Sequence, residues 1–195
     1  AWATDGPIEI INNYIEGAAQ SILFGGAGSE LKLVPTDCIV DSNHLNKPLE
    51  WKGKDWVVKN IFEIKNGRRI KVTNNLMTNN WAMGQDGNAI LFTTRADNGN
   101  VTIIEDIEFS GNIVRGTGGG MNILGSEGSG GHRLTIRNNI FDDIDGQKWG
   151  GGGHFMKVTD WDGMVIENNT VRQKNNITVA YGEPIKGFVF RNNII

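Results

Sequence analysis

Seven short stretches of the chain share one arrangement of apolar and polar positions. IEIINNYI (8–15), IKVTNNLM (70–77), IEFSGNIV (107–114), LTIRNNIF (134–141), MVIENNTV (164–171) and FVFRNNII (188–195) read apolar-x-apolar-x-Asn-Asn-x-apolar, with Gly111 in place of one asparagine; CIVDSNHL (38–45) is a weaker seventh copy. Alternation over the first four residues is the period of a strand with one buried face. The second asparagine of each copy falls at Asn13, Asn43, Asn75, Asn112, Asn139, Asn169 and Asn193, so the copies recur at intervals from 24 (Asn169 to Asn193) to 37 (Asn75 to Asn112) residues. A unit this short cannot bury its apolar face alone, and the regular recurrence predicts a solenoid of stacked coils. Leucine-rich repeats are excluded, because their Leu-x-x-Leu-x-Leu pattern and helical return segment are absent.

Most periods hold a second strand signal: SILFGG (21–26), AILFTT (89–94), MNILGS (121–126), FMKVTD (155–160) and ITVAYG (177–182). A short third strand is expected directly after the asparagines. Three strands per coil, stacked in register, make a parallel β-helix. The paired asparagines then have a physical role. Asparagine tolerates the left-handed backbone that a sharp bend between sheets requires, and its amide bonds to nearby backbone. Identical amides stacked at about 4.8 Å also bond to one another along the axis. The expectation is one all-β domain over 1–195, a β-helix of about seven coils with an asparagine ladder at the bend after the second sheet.

Composition changes this picture little. The chain has 27 glycines, 4 prolines and no sustained helical period. Its single cysteine, Cys38, excludes an internal disulfide framework and reads as a core filler. A net charge of -3 argues against nucleic acid as a partner. There is no apolar run long enough to span a bilayer. Both ends fall inside repeats, without the polar caps that solenoids carry. The expectation is therefore a piece of a longer chain, or an open-ended stack able to associate end to end.

These features resemble the right-handed parallel β-helix proteins of the pectin-lyase-like superfamily, with an asparagine at the bend after the second sheet. The resemblance covers residues 8–195. It implies that the apolar-x-apolar-x-Asn-Asn segments form the second sheet and the SILFGG-type segments the first. It also implies an extracellular, periplasmic or cell-surface location and a polysaccharide lying along the outer face of the first sheet. The bend itself is scaffold, shared by enzymes and non-enzymes alike.

Taking Ile22/Phe24, Ile90/Phe92, Met121/Ile123, Met156/Val158 and Ile177/Val179 as the inward pairs leaves Leu23, Leu91, Asn122, Lys157 and Thr178 facing outward. The same register brings Arg95, Asp160, Trp161 and Tyr181 to one rim, and the insertions 78–88 and 142–154 feed the other. Asn122, Trp81, Trp149, Trp161, Tyr181, Lys148 and His154 form the expected substrate-binding set, with aromatic rings to stack on sugars. Arg95 and Lys157 can pair with uronate carboxylates. Lys157, Arg95, Asp160 and Asp145 are the candidate catalytic groups. Asp86, Asp143 and Asp145 are the candidate metal ligands, and Ca²⁺ is the cation that such carboxylates would take.

Three tripeptide-like echoes of polygalacturonases carry no weight. Arg69-Ile70-Lys71, Gly131-His132 and Asp142-Asp143 occur in the wrong order, and Ile70 must point into the core. A pectate-lyase-like reaction would use Lys157 or Arg95 as the base that removes a C5 proton, with cations neutralising the enolate-like intermediate. The Arg-x-Pro-x-x-Arg pattern of those lyases is missing. His132 and His154 can act as acid or base, but three histidines without metal spacing do not suggest a zinc site. The two function classes left are a polysaccharide lyase or hydrolase and a non-catalytic filament or adhesion module.

Overall fold

The structure, a computed structural model, describes residues 5–26, 32–95 and 102–195. It is a parallel β-helix with three sheets, each made of parallel strands stacked in chain order. The second sheet has seven strands, Ile8–Ile11, Thr36–Asp41, Gly67–Thr73, Ile104–Ser110, Gly131–Arg137, Trp161–Glu167 and Phe188–Arg191. Each of the first six is followed by a strand of the third sheet: Tyr14–Glu16, His44–Asn46, Leu76–Asn80, Ile113–Thr117, Ile140–Ile144 and Thr170–Gln173. The first sheet closes each coil with Gln20–Phe24, Asn60–Ile64, Asn88–Thr93, Gly119–Leu124, Met156–Thr159 and Thr178–Tyr181. Asn60–Ile64 is a coil position that the apolar pattern did not reveal. Its five residues, NIFEI, are all buried and so lack the alternation of a half-exposed strand.

The bend after the second sheet divides between its two residues the labour expected of one. The first position takes the left-handed backbone, at Asn12 (57°), Ser42 (56°), Asn74 (56°), Gly111 (67°), Asn138 (56°), Asn168 (55°) and Asn192 (56°). The second position forms the ladder. Side-chain Nδ2 groups donate to the next Oδ1 from Asn13 to Asn43 (2.9 Å), Asn43 to Asn75 (3.0 Å), Asn75 to Asn112 (3.0 Å), Asn112 to Asn139 (3.1 Å), Asn139 to Asn169 (2.9 Å) and Asn169 to Asn193 (2.9 Å). Each acceptor oxygen also takes the backbone N–H of the preceding ladder residue, as Asn112 Oδ1 does from Asn75 N at 2.9 Å. The free amide hydrogens return to strand carbonyls, for example Asn112 Nδ2 to Val72 O at 2.9 Å. Every buried polar atom of an inner rung is therefore paired, which is what allows an amide to lie inside the barrel.

Inward residues stack in rows. Cys38, Ile70, Ile107, Leu134 and Met164 register with one another in the second sheet, and Val40, Val72, Phe109, Ile136 and Ile166 form the row beside them. Phe24, Phe62, Phe92, Phe109, Phe141 and Phe155 run through the interior with consecutive ring centroids 4.8–6.4 Å apart. Burying each such side chain contributes about 1.5–3 kcal/mol, so the core and not cross-linking holds the coils together. Cys38 is one of these fillers: it is buried, and burial pushes its thiol pKa up.

One cation lies inside the same scaffold. Lys47 has no exposed surface, and its ammonium donates to the carbonyls of Gly17 (2.6 Å), Ala18 (2.9 Å) and Ala19 (3.2 Å), at the corresponding corner of the preceding coil. Burial pushes its pKa down to about 8. The three oxygens work in the opposite direction, since only the charged form has three N–H bonds to give them. Among the described residues no helix is long and apolar enough to cross a membrane.

Candidate functional site

The outer face of the first sheet is built by its register. Leu23, Glu63, Leu91, Asn122, Lys157 and Val179 are aligned across six consecutive strands. Asn122 and Lys157 thus sit where the alternation placed them, and Glu63 joins them from the strand that the pattern missed. The last strand differs from expectation: Met156 pairs with Thr178 and Val158 with Ala180, so Val179 takes the outward row and Ile177 is 42% exposed. A shift of one residue exchanges the two faces of a strand, and the pairing with Met156 sets it here.

Beside this row the loop after Leu76–Asn80 rises as a wall over the sheet. Two adjoining hollows, of about 540 and 490 Å³, share Gln85, Asp86 and Asn88 and form one polar groove. One part holds Glu63, Lys65, Arg95 and Asn122; the other holds His154 and Lys157. Five residues expected to meet, Lys157, Arg95, Asn122, His154 and Asp86, therefore line a single depression. Lys65 lies 3.8 Å from Glu63, and Arg95 lies 3.9 Å from Glu127. Among the described residues Lys157 has no carboxylate partner, so its charge is free for a ligand. His154 directs Nδ1 to the carbonyl of Asn176 at 3.4 Å.

The glycine run that precedes His154 has a steric cause. Ala82 N donates to Trp149 O (2.9 Å), and Gly153 N donates to Gly118 O (2.7 Å), which draws residues 149–153 against the 82–87 wall. A Cβ on Gly118 would land on the carbonyl oxygen of Gly150, and one on Gly151 would land on that of Asp86. Side chains at these positions would force the two walls apart and displace Asp86 from the groove.

A buried polar network supports the same wall. Glu63, 1% exposed, accepts from Gln20 Nε2 (3.2 Å) and Asn60 Nδ2 (3.1 Å), and Asn60 Nδ2 also donates to Gln85 Oε1 (3.1 Å). The groove floor is thereby tied to its rim through two amides. A carboxylate with so little exposure is held in place by these donors. Its signal in the sequence was a lone Glu in an apolar run, NIFEI, flanked by no repeat marker.

Other expected site residues are engaged elsewhere. Trp161 is 1% exposed, begins a second-sheet strand and packs in the core, so its ring is closed to a sugar. Trp81 (3% exposed) and Trp149 (7%) form a separate buried cluster with Val58 and pin the wall to the barrel. Asp160 accepts from Thr159 Oγ1 (2.7 Å) and from Glu183 N (2.7 Å); these bonds hold its carboxyl below the usual range. Asp145 pairs with Lys174 (2.7 Å) and caps the four-residue helix Gly146–Trp149 by accepting from Gln147 N and Lys148 N; the Lys174 bond is the main cause of its lowered pKa. Asp143 is bound by Lys148 (2.6 Å) and by Trp149 Nε1 (3.1 Å). Tyr181, 52% exposed, lines an apolar hollow around the last coil, apart from the polar groove. Among the described residues no group of three or more His, Cys, Asp or Glu is placed to hold a metal ion, so Asp86, Asp143 and Asp145 do not assemble as a Ca²⁺ site.

No family model, curated protein or solved structure matches the chain.

Proposed function

We propose that this chain is an extracellular polysaccharide-binding β-helix of the pectin-lyase-like kind, taking an acidic glycan along the outer face of its first sheet. The observation that carries this reading is the groove in which Lys157, Arg95, Asn122, His154 and Asp86 converge. It is open and extended, as a chain-shaped ligand needs. Lys157 and Arg95 match uronate carboxylates, while Asn122, Gln85 and Asn88 supply donors and acceptors for hydroxyls. In a lyase reading Lys157 takes the C5 proton and His154 serves as the acid for the leaving oxygen, with no step routed through Ca²⁺ because its donor set does not assemble.

A non-catalytic surface or filament module is the second reading. It is favoured by the ion pairs and caps that occupy Asp143, Asp145 and Asp160, three of the carboxylates that catalysis would draw on. Screening the purified protein against acidic and neutral polysaccharides separates the two, with unsaturated product absorbance, reducing ends and binding read together. Product that disappears in Lys157→Ala establishes a lyase. Binding to an acidic glycan that weakens about tenfold in Lys157→Ala, without product, establishes the module. No binding to any acidic glycan overturns the proposal.

A further inference from the structure

A second aromatic assembly stands beside the groove, and its location separates it from the tryptophans that serve as pins. Residues Leu49–Trp51 form one turn of 3₁₀ helix, and Lys54 N closes back on Trp51 O at 3.1 Å. Gly53, at φ +80°, makes this reversal in a conformation that side-chain-bearing residues rarely adopt. The chain returns so that Trp56 stacks on Trp51, with centroids 4.9 Å apart and planes inclined by 21°. Trp51 packs against the buried Val58–Trp81–Trp149 cluster, while Trp56 remains 49% exposed. Pinning is thus completed by the inner rings, and Trp56 is fixed in orientation without being covered.

This loop also backs the groove. Gly84, which lines the groove, donates its N–H to Val58 O at 2.8 Å, and a Cβ on it would meet Val57 Cγ1 at 2.9 Å. Met83, 49% exposed, belongs to the same wall. Trp56 thus directly precedes Val57 and Val58, the two residues that lie against Gly84 of the wall carrying Asp86. The turn between the two indoles carries Lys52, Lys54 and Asp55, all exposed. Lys52 Nζ donates to Lys148 O (3.1 Å) and lies 5.2 Å over the Trp149 ring, which fixes the base of the turn.

We infer that Trp56 is an outer subsite on which one pyranose ring of an acidic glycan stacks, extending the groove beyond the 82–87 wall; this rests on the glycan-binding reading. The apolar C–H face of a pyranose matches the electron-rich face of an indole, and a ring already oriented by stacking loses little freedom on binding. Lys52 and Lys54 outnumber Asp55 on the turn, so its charge is net positive toward the carboxylates of flanking uronates.

The test compares long polyuronate chains with di- and trisaccharides on the wild type, Trp56→Ala, Trp56→Phe and Lys157→Ala. The expected result is that Trp56→Ala weakens long-chain binding about tenfold and leaves short-chain binding unchanged, that Trp56→Phe recovers most of the loss, and that Lys157→Ala weakens both. Intrinsic fluorescence should change on adding long chains and lose most of that change in Trp56→Ala. Long-chain affinity unaltered by Trp56→Ala, with Lys157→Ala still impaired, overturns the subsite and leaves the groove standing. A wild type that binds no polyuronate overturns both.

Discussion

The bend after the second sheet and the outer face of the first sheet lie on the same coils, yet they are written in opposite ways. At the bend each coil repeats its neighbour: a left-handed residue, then a ladder asparagine whose amide meets the amides above and below. On the first-sheet face the aligned row reads Leu23, Glu63, Leu91, Asn122, Lys157, Val179, with no position repeated in kind except the apolar ones. Stacking rewards sameness, because an amide ladder works only when every rung has the next. Recognition of a ligand rewards difference, because each part of the ligand meets another chemistry. In this solenoid, departures from the repeat therefore mark the face proposed to take a ligand.

The largest effect that separates the two regions is expected at the ladder. Asn112→Ala removes the acceptor of Asn75 N and of Asn75 Nδ2 and the donor to Val72 O, all inside the barrel. Chemical denaturation should show a loss of about 2–4 kcal/mol. A loss as small as that of a surface substitution would remove the ladder from the account of stability.

The next effect concerns Lys47, among the described residues the one cation that the scaffold buries without a carboxylate partner. Lys47→Met leaves three carbonyls without a donor and should cost about 1–3 kcal/mol near pH 7. The pH dependence has a defined sign. The folded-state pKa, about 8, lies below the ordinary 10.5, so between these values the unfolded chain holds more protons and stability rises with pH. The gain is at most about 3 kcal/mol, and the carbonyl bonds to the charged form reduce it. Subtracting the Lys47→Met curve from that of the wild type should isolate this slope.

The smallest effect belongs to the first residue of a bend pair. Asn138 is needed for its backbone angle of 56°, which glycine also adopts, so Asn138→Gly should change stability by less than about 1 kcal/mol. Asn139, one residue on, tolerates no such exchange. Equal losses at the two positions would contradict the division of labour between them.

How legible each region was follows from the same contrast. The strands of the second and third sheets and all seven ladder positions could be read from the recurrence of one eight-residue phrase, and five of the six first-sheet strands from the second apolar signal between its copies. The strand Asn60–Ile64 could not, because a fully buried segment loses alternation, and with it went Glu63, the carboxylate that ties the groove floor to Gln85. Asn122, Lys157, His154, Asp86 and Arg95 were recoverable from the register of the first sheet and its flanking loops. The tryptophans were harder. Composition marks an indole as ring-shaped and apolar but does not say whether it faces a sugar or a core. Trp81, Trp149 and Trp161 are buried, while the exposed Trp56 lay in a segment without any repeat signal. Asp143 and Asp145 read as metal ligands and Asp160 as a catalytic group only until their partners Lys148, Lys174 and Thr159 are known.

Hydrogen–deuterium exchange of the protein with and without a bound polyuronate tests the central claim most directly. The account predicts added protection in residues 60–65, 82–88 and 152–157, with the ladder strands of the second sheet unchanged. Protection confined to the outer faces of the second and third sheets, with the first-sheet groove unaffected, would contradict it.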